Sequence, residues 1–260
     1  MGRIIDLSVA LEDVPTRPSH HRPRIRYEAH DETFDKLALY YPGISREDLP
    51  EGKAWAVETL EVLTHAGTHM DAPWHYHPTT NHAIVEGGEP AGTIDQVPLE
   101  YCFQPGVKLD FRHFPDGYLV LPSDIDDELK RIGHKLQPLE IVLMNTGAAS
   151  DYGTEAYMDR GCGFGREATL HLLRQGIKMV GTDALGWDAV FKYATERFLK
   201  TRDSSLIWEG HKAGREMAYY QMEKLHNLEQ LPSTGFTVAC FPIKIKAASA
   251  AWTRAVAILK

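Results

Sequence analysis

Short stretches of the chain are either alternately apolar and polar or continuously apolar, and these predict strands. They fall at residues 3–10, 53–64 (KAWAVETLEVLT), 106–111, 118–121, 139–145 (LEIVLMN) and 177–182, with two more at 236–246 and 251–259. Helical spacing is clearest over 124–135, 166–175 and 213–226. The first of these begins with Ser123 three residues before Asp126, a weak capping box. The second puts Ala168, Leu172 and Gln175 or Leu173 on one face and stops before Gly176, which can take the left-handed cap conformation. Residues 14–50, rich in Pro, His, Arg and Asp, show no clear period and predict a long irregular arm. Loops of that length commonly cover a site or a partner subunit. There is no internal repeat, low-complexity tract or linker, so residues 1–260 are expected to form a single domain that includes the arm. Strands mixed with three or four helices favour α/β or α+β, and the pattern does not fix a topology.

Composition narrows the function classes. The chain is 43% hydrophobic and 25% charged, which excludes a disordered or fibrous protein. Its 28 basic and 36 acidic residues give a net charge of −8, which argues against nucleic-acid backbone binding. The three cysteines, Cys102, Cys162 and Cys240, are far apart and include no CxxC pair, so neither a disulfide framework nor a thiolate zinc ribbon is expected. The N-terminus lacks the apolar core of a signal peptide, and no apolar run approaches the roughly 20 residues of a membrane span. The expectation is a cytoplasmic protein that does not enter a membrane.

Of 13 histidines, four lie between Thr64 and Pro78, in THAGTHMDAPWHYHP. His65, His69, Asp71, His75 and His77 all occupy odd positions, which share one face of an extended chain. Gly67 and Pro73 argue against a helix. The segment therefore reads as a strand end entering a loop, with one face studded by imidazoles and a carboxylate, the donor set of borderline and hard divalent metals. A second group, His211 to Glu223, is twelve residues apart. On one helix these two would not share a face, and they converge only if His211 sits in the loop before it. By spacing alone Glu223 reads as a solvated helix carboxylate, with His226 and Glu229 as competing candidates.

Other catalytic routes leave no mark. GxSxG and HExxH are absent. Gly161-Cys162-Gly163-Phe164-Gly165 is neither a dinucleotide fingerprint nor a P-loop and reads as a turn into a helix, with a weak anion site as the lesser reading. Cys162 reads as a small buried residue rather than a nucleophile.

His65, Gly67, Thr68, His69, Asp71, Pro73 and His75 match the motif H-x-G-T-H-x-D-x-P-x-H in full. On these residues the chain resembles the cyclase-like metal-dependent hydrolases, the family of bacterial kynurenine formamidase, isatin hydrolase and a manganese-dependent dienelactone hydrolase. The segments TIDQVPL from Thr93, GREAT from Gly165, GTDA from Gly181 and MEKLHNL from Met222 also look like family segments. The resemblance implies an α/β fold with a mixed sheet partly rolled into a barrel and helices outside, the swivelling β/β/α type. It implies His65, His69 and Asp71 as metal ligands and His75 as general acid/base. His211 and Glu223 would complete a second position bridged by Asp71. One or two ions per chain, Mn or Zn, follow from it, as does a homodimer or homotetramer whose arm covers a neighbour's pocket.

The expected reaction is hydrolysis of a cyclic amide, a lactone or an arylformamide. Metal-activated water attacks the carbonyl, and His75 moves the proton. His77 reads as a supporting or surface residue. Trp74, Trp187 and Phe191 are candidate walls for an aromatic or conjugated substrate, each also readable as core. Two alternatives stay open: a non-catalytic metal-binding protein, and a lyase or dehydratase using the same site.

Overall fold

The computed structural model describes residues 2–13 and 22–259. The chain forms two compact units, one of residues 11–63 and the other of residues 1–10 with 64–260.

The larger unit is built on nine strands. In chain order they are β1 (Ile4–Asp6), β2 (His69–Asp71), β3 (Phe103–Asp110), β4 (Ile141–Asn145), β5 (Met179–Thr182), β6 (Tyr220–Glu223), β7 (Phe236–Ala239), β8 (Ala250–Trp252) and β9 (Val256–Leu259). Their order across the sheet is β1-β9-β7-β3-β4-β5-β6-β2-β8. The four central strands, β3 to β6, are parallel, and every other pairing is antiparallel. The sheet curls into a half-barrel. The mixed α/β fold expected from the resemblance is therefore the one observed.

Alternation along the central strands explains the two cores. Ile141 and Leu143 face one apolar cluster with Met70, Met179 and Met222, while Val142 and Met144 face another with Val107, Leu109, Val180 and Trp187. A parallel strand covered on both faces reads as a continuous apolar run, as 141–144 does. Five helices belong to this unit: α1 (Pro73–Tyr76), α2 (Pro122–Arg131), α3 (Arg166–Arg174), α4 (Phe191–Thr201) and α5 (Glu209–Glu216). Helix α2 starts two residues before its expected start, with Pro122 in its first turn and the Asp124 carboxylate accepting the Leu121 N–H at 2.8 Å. This replaces the expected Ser123–Asp126 box.

Three expectations need correction. The helix predicted over 213–226 ends at Glu216, and Tyr220–Glu223 is strand β6. The Tyr-Tyr pair there favours a strand, and Met222 pairs with Met70 of β2, so sheet pairing overrides the helical spacing. The strand predicted over 236–246 stops at Ala239 before Phe241-Pro242, since Pro cannot donate to a ladder. The last predicted strand is two, β8 and β9, interrupted at Thr253–Ala255.

The smaller unit is less irregular than expected. Residues 14–21 of the predicted arm lie outside the described residues. Beyond them Arg24–Glu28 pairs antiparallel with Val57–Glu61, with Arg24 opposite Glu61. A short helix, Phe34–Ala38, and turns at 46–48 and 50–52 follow, with the Arg46 guanidinium 4.6 Å from the Phe34 ring centre.

Candidate metal centre

The site begins with strand register. β2 and β6 run antiparallel, with His69 opposite Glu223 and Gln221 opposite Asp71. Directly opposed residues share a face, and so do residues two apart. All four side chains therefore emerge on one side, while Met70 and Met222 turn to the core behind them. His65 reaches the same place from the turn before β2, where Gly67 holds φ +63°, a conformation costly for a residue with a Cβ. His75 comes from the single turn α1, after Pro73. His211 comes from α5, whose approach depends on Gly210: a Cβ there would lie 2.4 Å from the Phe164 carbonyl oxygen.

His65 Nδ1 lies 2.9 Å and His69 Nε2 3.2 Å from Asp71 Oδ1. Glu223 Oε2 lies 3.5 Å from His69 Nε2. His69 and Asp71 have no solvent exposure, yet His69 Nε2 and Asp71 Oδ1 have no hydrogen-bond partner. Such orphaned buried atoms are costly, and a cation held between them removes the cost. The second carboxylate oxygen, Asp71 Oδ2, lies 3.9 Å from His211 Nε2, which is 3.7 Å from Glu223 Oε1.

The outer hydrogen bonds fix which ring nitrogens face inward. His69 Nδ1 is 2.9 Å from the Gly67 carbonyl, which accepts its proton and leaves Nε2 as the free lone pair. His211 Nδ1 pairs closely with Asp188, which likewise leaves Nε2 facing the carboxylates. His65 Nε2 meets Ser249 Oγ at 3.1 Å. These partners are those that orient metal-binding imidazoles. The residues fit a divalent ion by donor type, by orphaned atoms and by tautomer.

Charge states follow burial and neighbours. Burial raises the Asp71 carboxyl, but the adjacent His69 and His65 imidazoles outweigh it and hold the group well below the ordinary carboxylate value. His75 is pushed down to about 4, chiefly by burial, with Asp71 pulling the other way. Burial lowers His211 too, but Asp188 outweighs it and the net direction is up. His75 stands at the mouth of the cluster with Nε2 4.0 Å from Asp71 Oδ2 and its ring 4.1 Å from that of His65.

His65, His69, Asp71, His75, His211 and Glu223 are thus brought together from one turn and four separate elements. His77 points elsewhere and meets Thr79. His226 and Glu229 take no part in the cluster, and Cys162 is buried with its thiol raised to about 12. The aromatic expectations divide. Trp187 is fully buried, stacked 4.4 Å from Phe164, and its indole N–H donates to Thr169. Its ring is core rather than a pocket wall, and only its backbone N–H reaches the site, donating to Glu223 at 3.0 Å. Trp74 is 44% exposed beside His75, and Phe191 is 69% exposed at the start of α4.

Sequence reasoning passes over Asp188, Ser249, Gln221 and Trp208. Trp208 takes a positive φ of 58° just before α5, stacks 4.5 Å from His211 and meets His75 edge-on at 5.2 Å. A bulky residue in that backbone region is strained and held by its surroundings. A tryptophan three residues before His211 was the available signal, but no motif singles it out.

A family model described as “Putative cyclase” matches residues 5–189. No curated protein matches the chain. Among solved structures, an isatin hydrolase bound to the product analogue thioisatinate is similar with a TM-score of 0.72 and 20% identity, over 98% of this chain and 92% of that one. Isatin hydrolase A from Ralstonia solanacearum gives 0.74 and 22%, over 99% and 92%. A potential metal-dependent hydrolase with cyclase activity gives 0.64 and 19%, over 100% and 99%. These likenesses show a shared fold. Among the described residues no helix is long and apolar enough to cross a membrane.

Proposed function

This chain belongs to the cyclase family, and from that premise we propose that it is a metal-dependent hydrolase that opens a cyclic amide or lactone, or cleaves an arylformamide. The observation that carries the reading is the pair of buried, unpartnered atoms, His69 Nε2 and Asp71 Oδ1, beside the half-buried imidazole of His75. His65, His69 and Asp71 would hold an ion, with Glu223 against them and His211 on the far side of Asp71. Mn or Zn suits these oxygen and nitrogen donors. When bound, such an ion lowers the pKa of coordinated water towards about 7 and polarises a carbonyl.

The chain's own residues supply the rest. His75, kept neutral by burial, accepts the proton that water gives up as its oxygen closes on the carbonyl carbon. The imidazolium then returns that proton to the departing nitrogen or alkoxide, which leaves as a neutral amine or alcohol. Trp208 restrains the His75 ring edge-on and shields His211 from water. Exposed Trp74 adjoins His75 and offers an apolar surface to a planar substrate. The isatin hydrolases of like fold act as a guide to that class, since isatin is itself a cyclic amide fused to an aromatic ring.

The test is protein reconstituted with MnCl2 or ZnCl2 and assayed on isatin, N-formylkynurenine and a dienelactone. Turnover that requires added metal and is lost with a chelator is expected for at least one of them. No hydrolysis of any of the three by fully metal-loaded protein would overturn the reading.

A further inference from the structure

Cys102 and Cys240 lie 138 residues apart in the chain, yet the fold sets them against each other. Strands β3 and β7 run antiparallel, with Phe236 opposite Gly106 and Ala239 opposite Phe103. One step further in the same register puts Cys240 opposite Cys102, and the Cys240 N–H donates to the Cys102 carbonyl at 2.9 Å. Opposed residues turn their side chains to one face. Both cysteines accordingly sit fully buried in the apolar cluster that also takes Phe236 and Val238. They are free thiols, hydrogen-bonded to each other. Cys240 Sγ is also 3.5 Å from the Cys102 carbonyl oxygen, and Cys102 Sγ is 3.9 Å from that of Pro98. The Cα atoms of a hydrogen-bonded antiparallel pair stand about 5.5 Å apart, inside the span of about 4.4–6.8 Å that a disulfide bridges. Linking the two sulfurs therefore needs no rearrangement of the strands.

The hydrogen bond makes the two sulfurs unequal. It holds the Cys102 thiol below its ordinary value, against the effect of burial, and it raises that of Cys240. Cys102 is thus the better nucleophile of the two. The pair also stands at the end of its ladder. Cys102 closes the turn before β3, Cys240 follows the last residue of β7, and the neighbouring Phe103 and Phe241 are both about half exposed. Strand ends open locally at small cost, which admits a small oxidant. We propose that Cys102 and Cys240 form a peroxide-responsive pair that closes into a disulfide within the chain. The Cys102 sulfur attacks one oxygen of hydrogen peroxide, the O–O bond breaks, and a sulfenic acid and one water result. The Cys240 sulfur then attacks the Cys102 sulfur, the S–O bond breaks, and a second water leaves with the Cys240 proton. Two thiols are oxidised and one peroxide is reduced. The new bond ties β3 to β7 across 138 residues of chain and narrows the unfolded ensemble, which stabilises the fold. Cys162 lies in the other core cluster, its thiol raised to about 12 by burial, and takes no part.

The test treats the folded, full-length chain with hydrogen peroxide, quenches with catalase, and alkylates under denaturing conditions with N-ethylmaleimide. Alkylated thiols should fall from three to one, that of Cys162, and dithiothreitol should restore all three. Peptide mapping without reductant should recover the peptide of Cys102 joined to that of Cys240. The oxidised chain should unfold at a higher urea concentration than the reduced one, and reduction should reverse the shift. In Cys240→Ser the reaction should stop at the Cys102 sulfenic acid, trapped as its dimedone adduct, with no shift in the urea midpoint. The peptide map of the wild type decides the matter even if that variant fails to fold. The proposal is overturned if three thiols survive prolonged oxidation, if Cys102 proceeds to a sulfinic acid without a cross-link, or if the link found involves Cys162 or a second chain.

Discussion

Asp71 shows how much of the site rests on one side chain. Its two oxygens face different partners, His65 and His69 on one side and His211 on the other. Asp71→Asn should abolish tight metal binding, measured by dialysis, because a neutral amide puts N–H groups where lone pairs are needed. His75 is the contrasting case. His75→Gln should leave bound metal unchanged and lower kcat by roughly 10²–10⁴-fold. The depressed pKa of His75 also has a stability consequence. In the unfolded chain His75 protonates near 6.5, but in the folded protein only near 4. Between those values the unfolded state binds more protons, so its contribution is intact above about 6.5 and is lost as pH falls towards 4. Stability of the metal-free wild type relative to His75→Gln, from denaturant titrations, should therefore fall across that window. An unchanged difference would contradict a neutral buried imidazole.

At the scale of elements, the β2–β6 pairing aligns the donors. Met222 lies behind them, fully buried and opposite Met70. Met222→Ala should cost about 2–5 kcal/mol in denaturant unfolding and loosen metal binding with it. This pairing also marks what the sequence makes readable. The odd-position rule holds within strand β2, where His69 and Asp71 do share a face. It does not hold across the segment, since His65 lies in a turn and His75 in α1. His211 and Glu223 could not be joined by counting, because a helix, a turn and a strand lie between them rather than one helix. Only the family resemblance linked them, and the local pattern favoured a different element. Asp188 and Ser249 reach the site through bonds spanning 23 and 184 residues, and no local pattern encodes such contacts. Trp187 shows the opposite difficulty. A tryptophan near a site in sequence is equally suited to pocket or core, and the stacking with Phe164 decides for the core.

Taken as a whole molecule, the larger unit gathers the proposed donors from the turn before β2, from strands β2 and β6 and from helix α5, so metal and fold should be thermodynamically linked. A ligand bound only by the folded state stabilises it by about 4 kcal/mol at a thousand times its Kd. Saturating MnCl2 should raise the Tm and a chelator should reverse the rise, as followed by circular dichroism. His69→Ala should remove the effect, and Trp74→Ala, outside the donor set, should retain it.

The most direct test is the anomalous difference density of a crystal of this protein soaked in MnCl2. The account predicts a peak within about 2.0–2.3 Å of His65 Nδ1, His69 Nε2 and Asp71 Oδ1 together. Bound manganese that appears only elsewhere, with those three atoms left bare, would contradict it.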